Sequence, residues 1–309
     1  MNLPKVIILT GPTGSGKSSL ALKVAKALDL EIVNADSLAF YRGLDIGAAK
    51  PTASERLAVP HHLFDILEPD EDFDAAAYLK LARPIVTRLS DAGKPALVVG
   101  GTGLYLRSLT RGLFQGPGRQ AVIRAAIREE VKKGADPYQL LLTEDPLAAA
   151  KLNPKDYPRV ERALEVIRAS GVSIVTRQEE HRLADQPFAT LVLIIDRETK
   201  ELDADLRVRT EGMFKNGLIA EVEGLLKAGF SRDLKPLRAI GYREAIAYLK
   251  GEMTLEAAKE QVYLRTRRLA KRQRTWFRGQ TPEGLWVKPD LDLIIEKIQG
   301  FTQGGAGAL

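Results

Sequence analysis

The 309-residue sequence predicts an α/β fold, in which a parallel sheet is flanked by helices and carries an inserted all-helical subdomain. Two observations support this prediction. Strand and helix patterns alternate over residues 6–99, and helical patterns without strands follow from residue 115 to residue 185. Hydrophobic residues make up 45% of the chain and charged residues 28%, which are ordinary globular values and exclude collagen-like and wholly disordered proteins.

The first part of the chain contains three predicted short strands, and the last of them is an apolar run of the kind that a parallel sheet buries on both faces. In chain order the predicted elements are strand Val6–Thr10, helix Gly16–Leu28, strand Glu31–Asn34, helix Phe73–Ala92 and strand Ala96–Val99. The second helix has Asp74 as a candidate N-cap, and a kink is predicted at Pro84. This βαβ opening predicts the parallel sheet.

Four helical patterns without a strand predict the insertion, which we assign to residues 115–185. They cover Ala121–Lys133, Pro137–Leu142, Pro146–Leu152 and Asp156–Ser170. The chain then continues with strand Leu191–Ile195 and helices Leu206–Ala228, Tyr242–Leu249 and Leu255–Phe277. Residues 1–114 and 186–300 are therefore predicted to form the core, and the Gly-rich end, 301–309, is predicted to be a flexible tail.

The composition excludes several kinds of site. Because the chain has no cysteine, it has no disulfide, no thiolate zinc site, no iron–sulfur cluster and no cysteine nucleophile. No apolar run approaches the roughly 20 residues that a membrane span requires, and the sequence opens without a leader pattern. We therefore expect a cytoplasmic protein.

Positive charge is concentrated near the C-terminus. The formal net charge of the whole chain is +6, yet the segment Arg265–Arg278 alone contains seven basic residues, and no acid lies between Gln261 and Pro282. A local excess of this size predicts a polyanionic partner. Trp276 and Phe277, which lie at helical spacing within the segment, are predicted to be core anchors rather than platforms for base stacking.

A phosphate-binding loop (P-loop) is predicted between the first strand and the first helix. The segment fits the pattern G-x-x-x-x-G-K-S and consists of Gly11, Pro12, Thr13, Gly14, Ser15, Gly16, Lys17 and Ser18. Its backbone N–H groups and the N-terminus of the following helix would hold a diphosphate-like group. Lys17 would add a positive charge, and the Ser18 hydroxyl could hold Mg²⁺.

The loop alone leaves kinases, ATPases, GTPases and transferases open. A GTPase is disfavoured, because the guanine-binding motif Asn-Lys-x-Asp is absent. An ATPase needs an apolar strand that ends in a metal-holding aspartate, and Asp196 after Leu191–Ile195 has that position. Asp196 could equally cap a turn at the end of the strand.

Further motifs follow in a single order along the chain. They include Asn34-Ala35-Asp36-Ser37, Gly100-Gly101-Thr102-Gly103-Leu104-Tyr105, Arg162-Ala163-Leu164-Glu165, Ala239-Ile240-Gly241-Tyr242 and Thr266-Arg267-Arg268-Leu269-Ala270-Lys271-Arg272-Gln273. With these motifs the chain resembles the tRNA dimethylallyltransferase (tRNA isopentenyltransferase) family over roughly residues 5–280. The C-terminal zinc finger of eukaryotic members is absent, as a chain without cysteine requires, so the resemblance is to the bacterial type.

The resemblance implies a P-loop NTPase-like fold and a reaction. Family members transfer a dimethylallyl group from its diphosphate to N6 of adenosine 37 in tRNAs that read UNN codons. The implied cofactor is Mg²⁺, and the implied partners are dimethylallyl diphosphate and the anticodon stem-loop of tRNA. We expect the protein to act as a monomer and not to bind a membrane.

Other functions stay open beside this one. An adenylate isopentenyltransferase or a small-molecule P-loop kinase would use the same loop on a free nucleotide, and an RNA-binding ATPase switch would use Asp196. The basic segment and the helical insertion argue against the first two, because a free nucleotide requires neither.

The resemblance also implies roles for individual residues. Adenine N6 is a poor nucleophile because its lone pair is delocalised, so a base must take its proton, and Asp36 is the implied base. Thr102 is implied near the base and the leaving group, and Arg209, four residues before Met213, is the implied cation on the diphosphate. The residues expected to contact tRNA are Asp36, Ser37, Leu38, Ala39, Thr102, Arg124, Arg159, Arg162, Lys271 and Arg272. Ala39 and Ala48 depart from the Gln and Thr that are usual in the family.

Overall fold

Two structural units make up the chain, whose computed structural model describes residues 3–114, 116–182, 186–281 and 283–304. Unit 1 contains Met1–Thr110 and Pro187–Leu309, and unit 2 contains Arg111–Gln186. The predicted insertion, 115–185, falls within unit 2.

A six-stranded sheet forms the centre of unit 1. Its strands are β1 Lys5–Thr10, β2 Ile32–Asn34, β3 His61–His62, β4 Ala96–Gly100, β5 Ala189–Ile195 and β6 Leu285–Val287. They are arranged in the order β3-β2-β4-β1-β5-β6, and each neighbouring pair is parallel. The predicted parallel α/β fold is therefore confirmed. β3 and β6, with two and three residues, were not predicted.

Helices alternate with these strands up to unit 2, and several helices separate β5 from β6. Before unit 2 they are α1 Lys17–Leu28, α2 Ala53–Ala58, α3 Ala75–Asp91 and α4 Gly103–Arg111. Unit 2 contributes α5 Ala121–Lys132, α6 Pro137–Glu144, α7 Pro146–Lys151, α8 Tyr157–Ser170 and α9 Ile174–Arg182. After it come α10 Thr199–Lys215, α11 Leu218–Lys227, α12 Tyr242–Leu249, α13 Leu255–Gln280 and α14 Leu291–Gln303, with a short 3₁₀ helix at Pro236–Arg238.

Alternate residues of β1 point to opposite faces of the sheet, and both faces are buried. Ile7 and Leu9 pack in a cluster with Val24 of α1 and Ile294 of α14, whereas Ile8, between them, is buried outside that cluster. Burial on both faces explains why the strands appear in the sequence as unbroken apolar runs. Among the described helices, none combines the length and the apolar character that a membrane span requires.

Three sequence predictions about the helices have different outcomes. Asp74 is the N-cap of α3, because its Oδ1 accepts hydrogen bonds from the backbone N–H groups of Ala76 and Ala77 at 2.9 and 3.0 Å. α3 continues without a break through Pro84. The single helix predicted over Leu206–Ala228 is wrong: α10 starts at Thr199, and α11 begins only after Gly217, whose φ of +101° ends the first helix.

The predicted tail also begins too early. α14 continues to Gln303, and Lys5 Nζ donates hydrogen bonds to the carbonyls of Phe301 and Thr302 at 3.1 and 2.8 Å. These bonds satisfy carbonyls at the C-terminal end of the helix, which have no partner inside it. The remainder of the predicted tail, 305–309, lies outside the described residues.

Candidate active site

The P-loop occupies the predicted place, between the end of β1 and the first turn of α1. A Cβ at Gly11 would lie 2.9 Å from the carbonyl oxygen of Ile195, and a Cβ at Gly14 would lie 2.6 Å from Leu206 Cδ2. Gly14 also has a φ of +82°, which side chains rarely adopt. Both glycines are therefore required for the P-loop backbone to pass this close to Ile195 and Leu206.

Two P-loop side chains have polar groups without a partner. Lys17 Nζ makes no hydrogen bond to a described residue, and burial lowers the pKa of Lys17 to about 8, which Asp36 opposes and Arg209 reinforces. Ser15 Oγ is buried and has no hydrogen-bond partner in the described part of the chain. A buried hydroxyl without a partner is costly, so both groups fit a loop that receives an anion.

Asp36 is held at the end of β2 by its neighbours. Asn34 is buried, and its Oδ1 accepts a hydrogen bond from the Asp36 N–H at 2.8 Å. Asp36 Oδ1 accepts one from the Leu38 N–H at 3.0 Å. Asn34 Nδ2 in turn donates to the carbonyl of Leu63 at 3.0 Å. The half-buried carboxylate is thereby fixed at the carboxyl edge of the sheet.

Thr102 lies against the Asp36 loop. Its Oγ1 accepts a hydrogen bond from the Ser37 N–H at 3.1 Å, and its own N–H donates to the carbonyl of Ala35 at 3.2 Å. A Cβ at Gly100 would lie 2.2 Å from the Ala35 carbonyl oxygen, so only glycine permits this approach. The turn after β4 and the loop after β2 are thus joined at the predicted site.

Arg209 brings a second cation to the same place. Its side chain is half-buried and makes no hydrogen bond within the described residues. Burial lowers the pKa of the guanidinium, and the nearby Asp36 carboxylate acts in the opposite direction. Lys17, Asp36 and Arg209 are therefore within electrostatic reach of one another. Two cations with free donors beside one carboxylate can bind an anion and accept a proton.

Asp196, the alternative metal ligand, is already engaged. It forms an ion pair with Arg274 of α13, and the Arg274 guanidinium also donates to the carbonyl of Arg197 at 2.5 Å. A guanidinium at this carboxylate competes directly with a metal ion. Within the residues that the structure describes, no group of three His, Asp or Glu side chains could hold a metal.

The exposed Ser18 hydroxyl, in the first turn of α1, remains a candidate metal ligand. Mg²⁺ typically keeps several waters and takes one or two protein ligands together with oxygens of substrate phosphates. A single hydroxyl at the mouth of a P-loop fits that donor set without a carboxylate cluster.

Gln273, a residue that the sequence analysis missed, joins two parts of the site. Its Oε1 accepts a hydrogen bond from the Thr13 N–H at 2.8 Å, and its Nε2 donates to the Gly101 carbonyl at 2.9 Å. In the sequence it stands out only as the last residue of the motif Thr266–Gln273, without an assigned role. Nearby, Phe277 is 1% exposed, which confirms that it is a core anchor. Trp276 is half-buried and packs on Gly103.

The seven basic residues of α13 fall into two groups. Arg265, Arg267 and Arg274 form ion pairs with Glu244, Asp203 and Asp196. Arg268, Lys271, Arg272 and Arg278 are exposed and have no acidic partner among the described residues; we call these four the basic stripe. Their spacing places them on one helix face. The predicted tRNA contacts Lys271 and Arg272 belong to it.

The other predicted tRNA contacts differ in exposure. In unit 2, Arg124 and Arg162 bind the buried Glu165, at 2.9 and 2.6 Å, whereas Arg159 is exposed, 3.4 Å from Asp156. Beside Asp36, Ser37 is exposed, Leu38 is half-buried and Ala39 is buried. A structural role thus accounts for Arg124 and Arg162, and their contact with tRNA stays a prediction.

Comparison with known families gives two matches. The family model described as IPP transferase matches residues 39–280, and the one described as isopentenyl transferase matches residues 4–65. Together they span the P-loop, Asp36, Thr102, Arg209 and α13.

Similar proteins have consistent names. A tRNA dimethylallyltransferase of Syntrophobacter fumaroxidans is 46% identical over 93% of this chain and 84% of its own length. One of Geobacter sulfurreducens is 46% identical over 92% of both chains.

Solved structures resemble the chain as well. A full-length tRNA isopentenylpyrophosphate transferase from Bacillus halodurans has a TM-score of 0.71 at 35% identity, covering 97% of this chain and 96% of its own. A eukaryotic dimethylallyltransferase acting on tRNA has a TM-score of 0.79 at 27% identity, covering 93% of this chain and 75% of its own.

Proposed function

This chain belongs to the IPP transferase family, and we infer from that membership and from its site that it is a tRNA dimethylallyltransferase. We propose that it transfers the dimethylallyl group of dimethylallyl diphosphate to N6 of adenosine 37 in tRNAs that read UNN codons. The observation that carries the proposal is the convergence of Lys17, Asp36 and Arg209 at the carboxyl edge of the sheet. The length of the match to relatives named for tRNA favours this function over prenylation of a free nucleotide.

The reaction is a substitution at the first carbon of the dimethylallyl group. The bond from N6 to this carbon forms while the bond from the carbon to the diphosphate oxygen breaks, and the electron pair leaves with the diphosphate. The N6 proton passes to the Asp36 carboxylate. The Leu38 N–H donates a hydrogen bond to this carboxylate, and the Asp36 N–H donates one to Asn34 Oδ1. Both bonds hold the carboxylate in one position, so less conformational freedom is lost on reaching the reactive geometry.

The leaving diphosphate gains negative charge, and the site supplies fixed positive charge for it. Lys17, Arg209 and the P-loop amides are already oriented before the reaction, so they need not reorganise when the charge develops. The Thr102 oxygen accepts from Ser37, which leaves its hydroxyl proton for an oxygen of the leaving group. Ser18 would hold Mg²⁺, which supplies Lewis-acid stabilisation of the diphosphate oxygens.

The tRNA would lie on the basic stripe and beside the Asp36 loop. Arg268, Lys271, Arg272 and Arg278 would neutralise phosphates, and Ser37, Leu38 and the arginines of unit 2 would contact the anticodon stem-loop. The target base must leave the stack, because a stacked base cannot bring N6 to the prenyl carbon. We place this reaction in the cytoplasm, carried out by a monomer.

A direct assay tests the proposal. The protein is incubated with dimethylallyl diphosphate, Mg²⁺ and either unmodified tRNA or AMP, and the acceptor that gains a dimethylallyl group is identified by mass spectrometry. We expect modified tRNA without any nucleoside triphosphate, unmodified AMP, and no product in EDTA. Modification of AMP would favour the adenylate enzyme, and an absolute requirement for ATP hydrolysis would show that the P-loop holds a nucleotide instead.

A further inference from the structure

Residues of α13 contact the loops after three neighbouring strands. Gln273 binds the P-loop after β1 and the turn after β4, Trp276 packs on that same turn at Gly103, and Arg274 pairs with Asp196 after β5. Parallel strands place these loops at one edge of the sheet. The basic stripe lies on the exposed face of the same helix.

The Gln273 amide is suited to join the first two loops. An amide carries an acceptor and a donor, and here the acceptor serves Thr13 of the P-loop while the donor serves Gly101, the residue before Thr102. If the amide were removed, a backbone N–H in one loop and a carbonyl in the other would lose their partners. The Thr10 hydroxyl, which donates to the Gly100 carbonyl at 2.7 Å, would still join the strand ends just before these loops, but no described side chain other than Gln273 bonds Thr13 to Gly101.

Gly101 leaves the space that the amide fills. A Cβ built on Gly101 would lie 2.5 Å from Gln273 Nε2, and the next nearest atoms are 3.6 Å or more away. The φ of Gly101 is not positive, so its backbone accepts alanine. The clash involves only the far end of a flexible side chain. An alanine here would therefore displace the amide and disturb little else.

We propose that Gln273 is a positioning residue that holds the P-loop and the Thr102 turn in the arrangement required for prenyl transfer, from the helix that carries the basic stripe. The proposal rests on the proposed function. In this role one side chain sets the positions of both Thr102 and the P-loop, which would hold the prenyl diphosphate. Losing that side chain therefore changes the reaction rate of the bound complex rather than the affinity for tRNA. A residue that only docks the helix would change stability instead.

Four proteins test this role: wild type, Gln273→Ala, Gly101→Ala and the double variant, with Gln261→Ala, an exposed glutamine on the same helix, as control. The measurements are kcat and KM for both substrates, the affinity for inorganic pyrophosphate by calorimetry, and the melting temperature. Because an error of about 1 Å in position can cost on the order of 100-fold in rate, each single variant should lower kcat about 10- to 100-fold.

The double variant distinguishes positioning from independent damage. With Ala at 273 the clash at 101 disappears, so its kcat should equal that of Gln273→Ala, and tRNA affinity should stay at the wild-type value. Pyrophosphate affinity should fall in both single variants and not further in the double. The proposal is overturned if both single variants keep kcat within about twofold of wild type, or if their losses multiply. If wild type makes no product, the proposed function fails, and the pyrophosphate data alone decide the role of Gln273.

Discussion

Asp36 depends for its position on a residue with no chemical role of its own. Buried Asn34 accepts from the backbone N–H of Asp36 and donates to the Leu63 carbonyl, and so links the end of β2 to the segment after β3. The carboxylate can then act as a base from a fixed point. The side chains of this site are thus of two kinds: some take part in the reaction, as Asp36 does, and others fix the positions of the reacting groups, as Asn34 does.

Asp36→Asn keeps the shape of the side chain and removes its basicity. Because a positioned base typically contributes about 10²- to 10⁴-fold in rate, we expect kcat to fall by at least 100-fold while tRNA affinity changes little. Single-turnover kinetics and a filter-binding assay measure the two quantities. Asp29→Asn, at the exposed end of α1, is the control. Near-normal turnover of Asp36→Asn would exclude Asp36 as the base.

Lys17 should make diphosphate binding depend on pH. Burial lowers the pKa of its ammonium to about 8, so the cation is lost as the pH rises through that value, and affinity for pyrophosphate should fall there. Calorimetry across this pH range measures the affinity. Near pH 8 part of the Lys17 side chains are uncharged, so binding of pyrophosphate should be accompanied by proton uptake. Lys17→Arg stays charged and should show no such fall. A wild-type affinity that is constant through this range would contradict the prediction.

At the scale of elements, α13 has two faces with different tasks. Its inner face packs on α10, the helix of Arg209, through Tyr263 and Ala270 against Leu202 and Leu206. Its outer face carries the basic stripe. The pairing of three of its arginines with acids explains why seven positive charges do not form one continuous cationic surface.

The salt dependence of tRNA binding tests the outer face. Each phosphate contact releases counterions, so log affinity should fall with log salt by roughly 0.7 to 0.9 per contact. Lys271→Ala with Arg272→Ala should weaken tRNA binding and reduce this slope by up to about two, without changing pyrophosphate affinity. Lys23→Ala with Lys26→Ala, two exposed lysines of α1, removes the same charge elsewhere. An unchanged slope with a lower melting temperature would exclude the stripe from tRNA binding.

At the scale of the whole molecule, unit 2 has an apolar core of its own, with an ionic centre beside it. Glu165 is fully buried and accepts hydrogen bonds from the Gln120 N–H, Arg124 and Arg162 at 2.6 to 2.9 Å. Burial alone would raise the pKa of Glu165, but these hydrogen bonds lower it from 4.5 to about 2.

Unit 2 should therefore lose stability in acid. A carboxylate whose pKa is lower in the folded state stabilises that state fully above its unfolded pKa, and this stabilisation, on the order of 3 kcal/mol, is lost as the pH falls from 4.5 towards 2. Hydrogen exchange of amides in α5 and α8 at a series of pH values measures it. Glu165→Gln should be destabilised at neutral pH and show a weaker acid dependence, whereas the exposed Glu129→Gln should behave as wild type. An acid dependence of Glu165→Gln equal to that of wild type would contradict the prediction.

The sequence by itself determined the fold class, the P-loop and the family, because each is written in residues close together along the chain. Apolar runs report strands buried on both faces, and G-x-x-x-x-G-K-S between a strand and a helix needs no distant partner to be recognised. Each of the later motifs is likewise a short contiguous segment, and their order is read directly along the chain. Asp36 could be placed near the P-loop for the same reason, since parallel strands bring their carboxyl ends to one edge.

Only the tertiary structure decided which charged and polar groups are free. Arg274 and Arg272 look alike in the sequence, yet the first is paired with Asp196, which follows β5, and the second is exposed. Gln273 meets Thr13 and Gly101, which are 260 and 172 residues away. Such partners come together only when strands and helices pack. The availability of a side chain is therefore a property of its distant neighbours, which a local pattern does not contain.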